Sequence, residues 1–184
     1  MNLNLQPRLQ NELIRIEPLQ TDDFERLYQV ASDPLIWEQH PNKNRYERDV
    51  FQLFFDDALA SKGAFLVFDA KTNTLIGSSR YYDVFLDQKS IAIGYTFLAR
   101  AYWGGNYNWA LKSLMLDHAF QTAETVVFHI GQNNLRSQKG TGKLGAVKVE
   151  EVTRENYGTS ATTTHFVYHL AKNVWEQKKL EKTQ

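Results

Sequence analysis

The order of apolar and polar residues in the first third of the chain changes period several times. Residues 13–19 alternate with a period of two, which predicts a strand. Apolar residues then follow at helical spacing over 24–31 and again over 47–61, and we expect Thr21 to cap the first of these helices. Residues 35–45 show no sustained period, so we predict a structured loop between the two helices.

The middle of the chain reads as three strands, over residues 64–69, 75–84 and 90–98. Their short links cannot form parallel crossovers, so the pattern predicts an antiparallel meander. A long helix ending near Phe120 follows, and its apolar face predicts that it is largely buried. The remaining predicted elements are a strand from Val126, a helix over 133–144, strands over 147–152 and 162–170, and a short solvated helix from Asn173. Strands joined through a helix are usually parallel neighbours.

Composition narrows the possible functions. The chain has 184 residues, which suits one domain, and its 21 basic residues balance its 21 acidic ones. No general attraction to nucleic acid or to an acidic membrane follows from such a balance. The chain has no cysteine, which excludes disulfides, thiolate metal sites and a cysteine nucleophile. No apolar run approaches the roughly 20 residues that span a bilayer, and the first ten residues lack the features of a signal peptide. We therefore expect a soluble, cytoplasmic protein.

Gly104 and Gly105 separate an apolar strand from the long helix, and this arrangement is typical of a phosphate site. The first turn of a helix leaves backbone N–H groups unpaired and carries partial positive charge, while glycine lets a ligand approach the backbone closely. A tight connection between strand and helix would use the same residues, so the pattern alone leaves both interpretations open.

A second feature, further along the chain, favours the phosphate site. The sequence YWGG at 102–105 and the helix after it are followed by a strand, by Asn134-x-x-Ser137 and by KLGA at 143–146. This combination resembles the GCN5-related N-acetyltransferases, in particular the branch of ribosomal-protein N-terminal acetyltransferases. The resemblance covers nearly the whole chain. It implies one α/β (α+β) domain over 1–184, with a mixed, mostly antiparallel sheet of about seven strands and flanking helices.

The resemblance also implies the partners and the residues that bind them. Acetyl-CoA would be the cosubstrate, with no metal, and a primary amine of a small molecule or a protein N-terminus would be the acceptor; a homodimer is possible. In the loop, the family's basic residue and its two glycines fall at Ala101, Gly104 and Asn106, so only the first glycine matches. Asn134 would bind the pantetheine arm, cap the following helix, or do both. The residues expected to contact the cosubstrate are Leu98, Trp103, Gly104, Gly105, Asn106, Tyr107, Asn134 and Ser137.

The chain departs from the family at both positions that move protons. Many relatives have a tyrosine that protonates the leaving thiolate where this chain has Thr141, and a glutamate base where it has Ala92. A threonine hydroxyl is too weak an acid for this role. Candidates to replace these groups as catalytic residues are Ser137, Tyr95 and His40, while Tyr82 and Asp83 are further candidates to steer the amine. His40 could instead pack beside Trp37, and His118 and His129 are expected to pack or cap.

These features together predict an enzyme that passes an acetyl group directly from acetyl-CoA to a primary amine in a ternary complex. Without cysteine, a covalent acyl-thiol intermediate on the protein is excluded. Two other functions stay open: a non-catalytic protein with the same fold that binds CoA, and a protein-interaction module that uses an aromatic surface around Trp37 and Tyr46.

Overall fold

The computed structural model describes residues 3–155 and 161–183, and within them a mixed sheet is flanked by five α-helices. The strands are β1 (Leu9–Gln10), β2 (Ile14–Pro18), β3 (Ala64–Asp69), β4 (Leu75–Phe85), β5 (Ser90–Leu98), β6 (Thr125–Gly131), β7 (Val147–Glu155) and β8 (Thr162–Ala171). The helices are α1 (Phe24–Ala31), α2 (Arg48–Ala60), α3 (Tyr107–Ala119), α4 (Leu135–Lys143) and α5 (Lys172–Thr183). The strand order is β1-β2-β3-β4-β5-β6-β8-β7.

The first five strands pair antiparallel in chain order, which confirms the predicted meander. Alternation in β2 works as the sequence predicts, since Ile14 and Ile16 are fully buried. The sheet has eight strands rather than about seven. The additional strand is β1, which has two residues and is too short to show a period in the sequence.

The start of the first helix differs from the prediction. Thr21 is not a cap but opens a short 3₁₀ turn, and α1 begins at Phe24. The buried Asp23 carboxylate accepts a hydrogen bond from the backbone N–H of Gln20 at 2.8 Å. The third residue of the turn therefore satisfies the backbone N–H of the residue that precedes the turn. Helix α2, at Arg48–Ala60, agrees with the helix predicted over 47–61, and the segment before it is largely a loop, as predicted.

The strand order in the last part of the sheet also corrects an expectation. β7 was expected beside β6 because a helix joins them, but β8 lies between the two and pairs antiparallel with both. The C-terminal helix is not simply solvated either. Trp175 of α5 is 1% exposed and packs at 5.2 Å, ring centroid to ring centroid, on Trp109 of α3.

Apolar side chains form two buried clusters. The first contains most of the buried face of α3, which confirms the prediction for that helix, and the second joins α1 and α2 to the sheet. Trp37 belongs to the second cluster and is 3% exposed, so it cannot form the exposed aromatic surface of an interaction module. Over residues 3–155 and 161–183, none of the helices combines the length and the apolar character needed to cross a membrane.

Candidate active site

The sheet opens between its two parallel strands. β5 and β6 pair over three residues and the last pair is Ala92–Val127, although β5 continues to Leu98. On the other side of β5, the pairing with β4 passes from Arg80–Gly94 to Ser78–Phe97 and skips two residues, Tyr95 and Thr96. Such a skip is a bulge, and Tyr95 has a φ of +52°, which few residues other than glycine adopt. The bulge turns this part of β5 away from β6 and leaves its edge open.

The loop after β5 leads directly into the N-terminus of α3. Gly104 has a φ of +76°, and a Cβ at either Gly104 or Gly105 would meet nothing within 4 Å, so this backbone is accessible to a ligand. Asn106 occupies the N-cap position without a side-chain bond to the helix. The first-turn N–H groups of α3 therefore keep their capacity to bind an anion. Lys182 adds positive charge here, since its Nζ donates to Asn106 Oδ1 at 3.4 Å.

Arg136, which the sequence analysis did not single out, faces the same loop from α4. Its guanidinium carbon lies 3.7 Å from the centre of the Trp103 ring, and Nη2 donates to the carbonyl of Ile36 at 2.9 Å. Its backbone N–H donates to Gln39 Oε1 at 3.0 Å. Burial lowers the pKa of Arg136 from its ordinary value. The residue therefore joins the N-terminus of α4 to the loop before α2 and to the loop before α3.

Three of the residues expected to contact acetyl-CoA take part in hydrogen bonds within the protein. The carbonyl of Leu98 accepts a hydrogen bond from Trp103 Nε1–H at 2.8 Å. The Tyr107 hydroxyl donates to Asp69 Oδ2 at 2.9 Å, and this bond raises the pKa of Tyr107. Tyr107 can therefore contribute its backbone N–H to an anion site, while its side chain holds the helix to the turn after β3.

Asn134 caps α4, as one of the two interpretations held. Its Oδ1 accepts a hydrogen bond from the backbone N–H of Ser137 at 3.1 Å. The side chain is half-buried, and its amide N–H groups are separate from the atom that caps the helix. Capping therefore does not prevent Asn134 from donating to a ligand.

His40 lies in the loop before α2, where neighbours occupy its ring. The backbone N–H of Asn42 donates to Nδ1 at 2.9 Å, and Arg45 Nη1 lies 3.2 Å from Nε2. The ring stands edge-on to Trp37 at 5.7 Å, so the packing interpretation is confirmed. Desolvation, and then the charge of Arg45, hold the pKa of His40 well below its ordinary value.

A hydrogen-bonded chain lies on the α2 side of the opening. Arg154 Nη2 can only donate, so at 2.9 Å it requires an acceptor at His129 Nε2. The neutral imidazole then has its proton on Nδ1 and donates it to the Tyr82 hydroxyl, also at 2.9 Å. Desolvation and the charge of Arg154 lower the pKa of His129 to about 4, while burial raises the pKa of Tyr82. Both groups are therefore neutral near pH 7.

The Tyr82 ring connects this chain to the bulge. It packs edge-on against Tyr95 at 5.1 Å, and a Cβ at Gly94 would lie 2.8 Å from it. Arg80 supports Tyr95 from the opposite side, with its guanidinium carbon 4.1 Å from the centre of that ring. Tyr82 and Tyr95 could be named from the sequence, whereas His129 was expected to pack or cap, because contacts among residues of three different strands leave no local signal.

Lys112 is the other residue that the sequence analysis missed. It lies on α3, is 6% exposed, and donates from Nζ to Thr96 Oγ1 at 2.7 Å. Its position three residues before Met115 places it on the buried side of the helix, which is the one signal that the sequence carries. Desolvation lowers the pKa of Lys112 to about 7.

A surface cleft of about 430 Å³ lies at the end of β6, beside the loop that holds His40. The lining brings together a carboxylate, that of Glu38, and an ammonium, that of Lys43. The cleft is lined by Glu38, Gln39, His40, Pro41, Lys43, Asn133 and Thr163.

Solved structures with the same fold include several acetyltransferases. A GCN5-related N-acetyltransferase from Brucella melitensis is 14% identical, with a TM-score of 0.82, and the match covers 95% of this chain and 83% of that one. Mycobacterium smegmatis RimJ, solved in complex with CoA-disulfide, is 16% identical with a TM-score of 0.68, over 87% and 82% of the two chains. Spermidine N-acetyltransferase from Vibrio cholerae, solved with CoA and spermine, is 14% identical with a TM-score of 0.69, over 90% and 99%.

At these identities the solved structures establish a shared fold. The family itself is established by a match of residues 14–147 to the model of the acetyltransferase (GNAT) domain. The match spans β2 to the start of β7, and so includes the opening, the loop before α3 and the capped start of α4. The chain therefore belongs to the GNAT acetyltransferase family and has the N-acetyltransferase fold that the resemblance implied.

Proposed function

We propose that this chain transfers an acetyl group from acetyl-CoA directly to a primary amine while both substrates are bound. The observation that carries the proposal is the opening beside the bulged edge of β5, next to the N-terminus of α3. An extended pantetheine arm can pair, as an additional strand would, with the edge of β5 beyond Ala92 that β6 leaves unpaired. The thioester then lies in the gap between β5 and β6, which can be reached from both faces of the sheet.

The loop before α3 supports binding of the pyrophosphate. Gly104 and Gly105 leave room for phosphate oxygens against the backbone, and the first-turn N–H groups of α3 point outward. Lys182 and Arg136 bring two cationic side chains to the borders of this region. Backbone donors carry the site, which explains why Asn106 can replace the family's second glycine.

The amine acceptor would approach from the α2 side of the opening. Oxygen of the Tyr82 hydroxyl already accepts one hydrogen bond, from His129 Nδ1, and can accept a second from the amine. Accepting an amine N–H leaves the nitrogen lone pair free to attack the thioester carbonyl.

Two titratable groups that line this face in the hydrogen-bonded chain, Tyr82 and His129, are not strong bases near neutral pH. Ala92 replaces the family's glutamate, and His129 has a pKa of about 4. We therefore propose that the amine loses its proton to water, and that holding the two substrates together supplies most of the acceleration. Such positioning can lower a barrier by roughly 7 to 11 kcal/mol.

Ligand binding and turnover test the proposal separately. Acetyl-CoA at about 100 times its Kd should raise the free energy of unfolding by roughly 2.7 kcal/mol. At the same concentration, acetyl-pantetheine, which lacks the pyrophosphate, should raise the free energy of unfolding much less. Equal stabilisation by the two compounds would count against the phosphate site. CoA binding without thiol release, for every amine of a broad panel, would favour the non-catalytic alternative.

A further inference from the structure

Lys112 places a primary amine across the opening of the sheet, on its α3 side. Its Nζ is 2.7 Å from the Thr96 hydroxyl and 5.8 Å from the centre of the Phe128 ring. Thr96 is on the bulged edge of β5 and Phe128 follows the last residue of β6 that pairs with β5. The amine is therefore next to the two strands that flank the proposed path of the acyl arm, on the face opposite Tyr82.

The surroundings of Lys112 lack the charge that a structural lysine would need. From β5 it meets a hydroxyl, which in turn lies 2.7 Å from Ser79 Oγ, and from β6 it meets an aromatic ring. No carboxylate, histidine or second cation of the described residues contributes to its lowered pKa, which desolvation alone causes. Burying an amine without an anionic partner is costly, so methionine or leucine would fill the same space at lower cost.

We propose that Lys112 donates the proton to the sulfur of CoA as the thioester breaks, in place of the tyrosine whose position Thr141 occupies. The inference rests on the proposed function. The amine nitrogen of the acceptor bonds to the carbonyl carbon, the C–S bond breaks, and the sulfur takes a proton from the Lys112 ammonium. The acetylated nitrogen releases its proton to water, and Lys112 regains one from water after CoA leaves.

The chemistry of Lys112 suits this step better than that of the other groups at the opening. A general acid works best when its pKa lies near the working pH, and that of Lys112 is about 7. Burial makes Tyr82 a weaker acid than an ordinary tyrosine, and His129 is neutral near pH 7. Tyr82 and His129 also lie on the acceptor side, whereas Lys112 lies on the side of α3, whose first turn would hold the phosphates.

Steady-state kinetics of Lys112→Met and Lys112→Arg test the role, with the exposed Lys71→Met as control. Both Lys112 variants should lower kcat by on the order of a hundredfold or more, with little change in KM for acetyl-CoA. Arginine keeps the charge but cannot release its proton, so it should not rescue the rate. The wild-type kcat, divided at each pH by the fraction of the acceptor amine that is unprotonated, should fall as pH rises above about 7, because the ammonium is lost, and Lys112→Met should lack that decline.

Three results would overturn the inference: a Lys112→Met enzyme with wild-type kcat, an arginine variant that restores the rate, or a wild-type kcat that shows no decline above neutral pH after division by the unprotonated fraction of the amine. The last measurement needs no variant, so it holds even if a substitution prevents folding. Failure of the proposed function would look different, since then the wild-type protein itself would turn over no amine.

Discussion

Replacing Lys112 with methionine should stabilise the protein, and by an amount that depends on pH. The pKa of this lysine falls from 10.5 to about 7 on folding, a difference of about 3.5 pH units. At about 1.4 kcal/mol per unit, burying the ammonium costs roughly 5 kcal/mol at low pH, where both the folded and the unfolded chain hold the proton. The cost decreases as pH rises above 7, because the unfolded chain binds more protons than the folded one, and it vanishes above the unfolded pKa.

Between pH 7 and pH 9 the cost should fall by roughly 2 kcal/mol. Urea unfolding of the wild type, Lys112→Met and Lys71→Met at these two pH values measures it. We expect the free energy of unfolding of Lys112→Met to exceed that of the wild type by more at pH 7 than at pH 9, while Lys71→Met follows the wild type. Other titrating groups cancel because the variants share them. A stability difference that is the same at both pH values would refute the reasoning.

Three substitutions test the proposed binding and catalytic contacts. Gly105→Val should weaken CoA binding at least about tenfold, a loss of about 1.4 kcal/mol, and barely change stability, because its Cβ enters open space. Gly142→Ala, equally open but inside α4, should leave CoA binding unchanged and raise stability by about 0.5 to 1 kcal/mol. Asn134→Ala should lower the free energy of unfolding by about 1 kcal/mol, because the helix cap is lost. A rise in KM for acetyl-CoA in the same variant would show that the Asn134 side chain also contacts the pantetheine arm. Tyr82→Phe should lower kcat/KM for the amine by on the order of tenfold to a hundredfold without loss of CoA binding; unchanged kinetics would remove it from the acceptor side.

Local patterns in the sequence predict most of the fold. Short links require the meander from β3 to β5, and helical spacing locates α2 and α3. Long-range pairing is what the patterns miss, since nothing near β7 shows that β8 will insert beside β6. Residue type alone favours Thr21 as a cap. The folded turn instead brings the Asp23 carboxylate to the backbone N–H of Gln20, a contact that the sequence does not show.

The candidate site divides in the same way. Gly104 and Asn134 could be found from sequence because backbone access and helix capping depend on neighbours in the chain. Tyr95 is held at positive φ by packing between Arg80 and Tyr82, and no local rule places a tyrosine there. Lys112 was missed because a charged residue at one position of an apolar helix looks exposed until the strands beside it are known.

A single-turnover experiment can show whether the acetyl group passes directly from acetyl-CoA to an amine. Enzyme in excess over acetyl-CoA would be mixed with each member of a panel of primary amines, including peptide N-termini and polyamines, and both free CoA and acetylated amine would be measured over time. Direct transfer predicts that, for at least one amine, the two products form at the same rate and in equal amounts, and that no CoA is released when the amine is omitted. CoA release that precedes amine acetylation, or that proceeds without any amine, would contradict it.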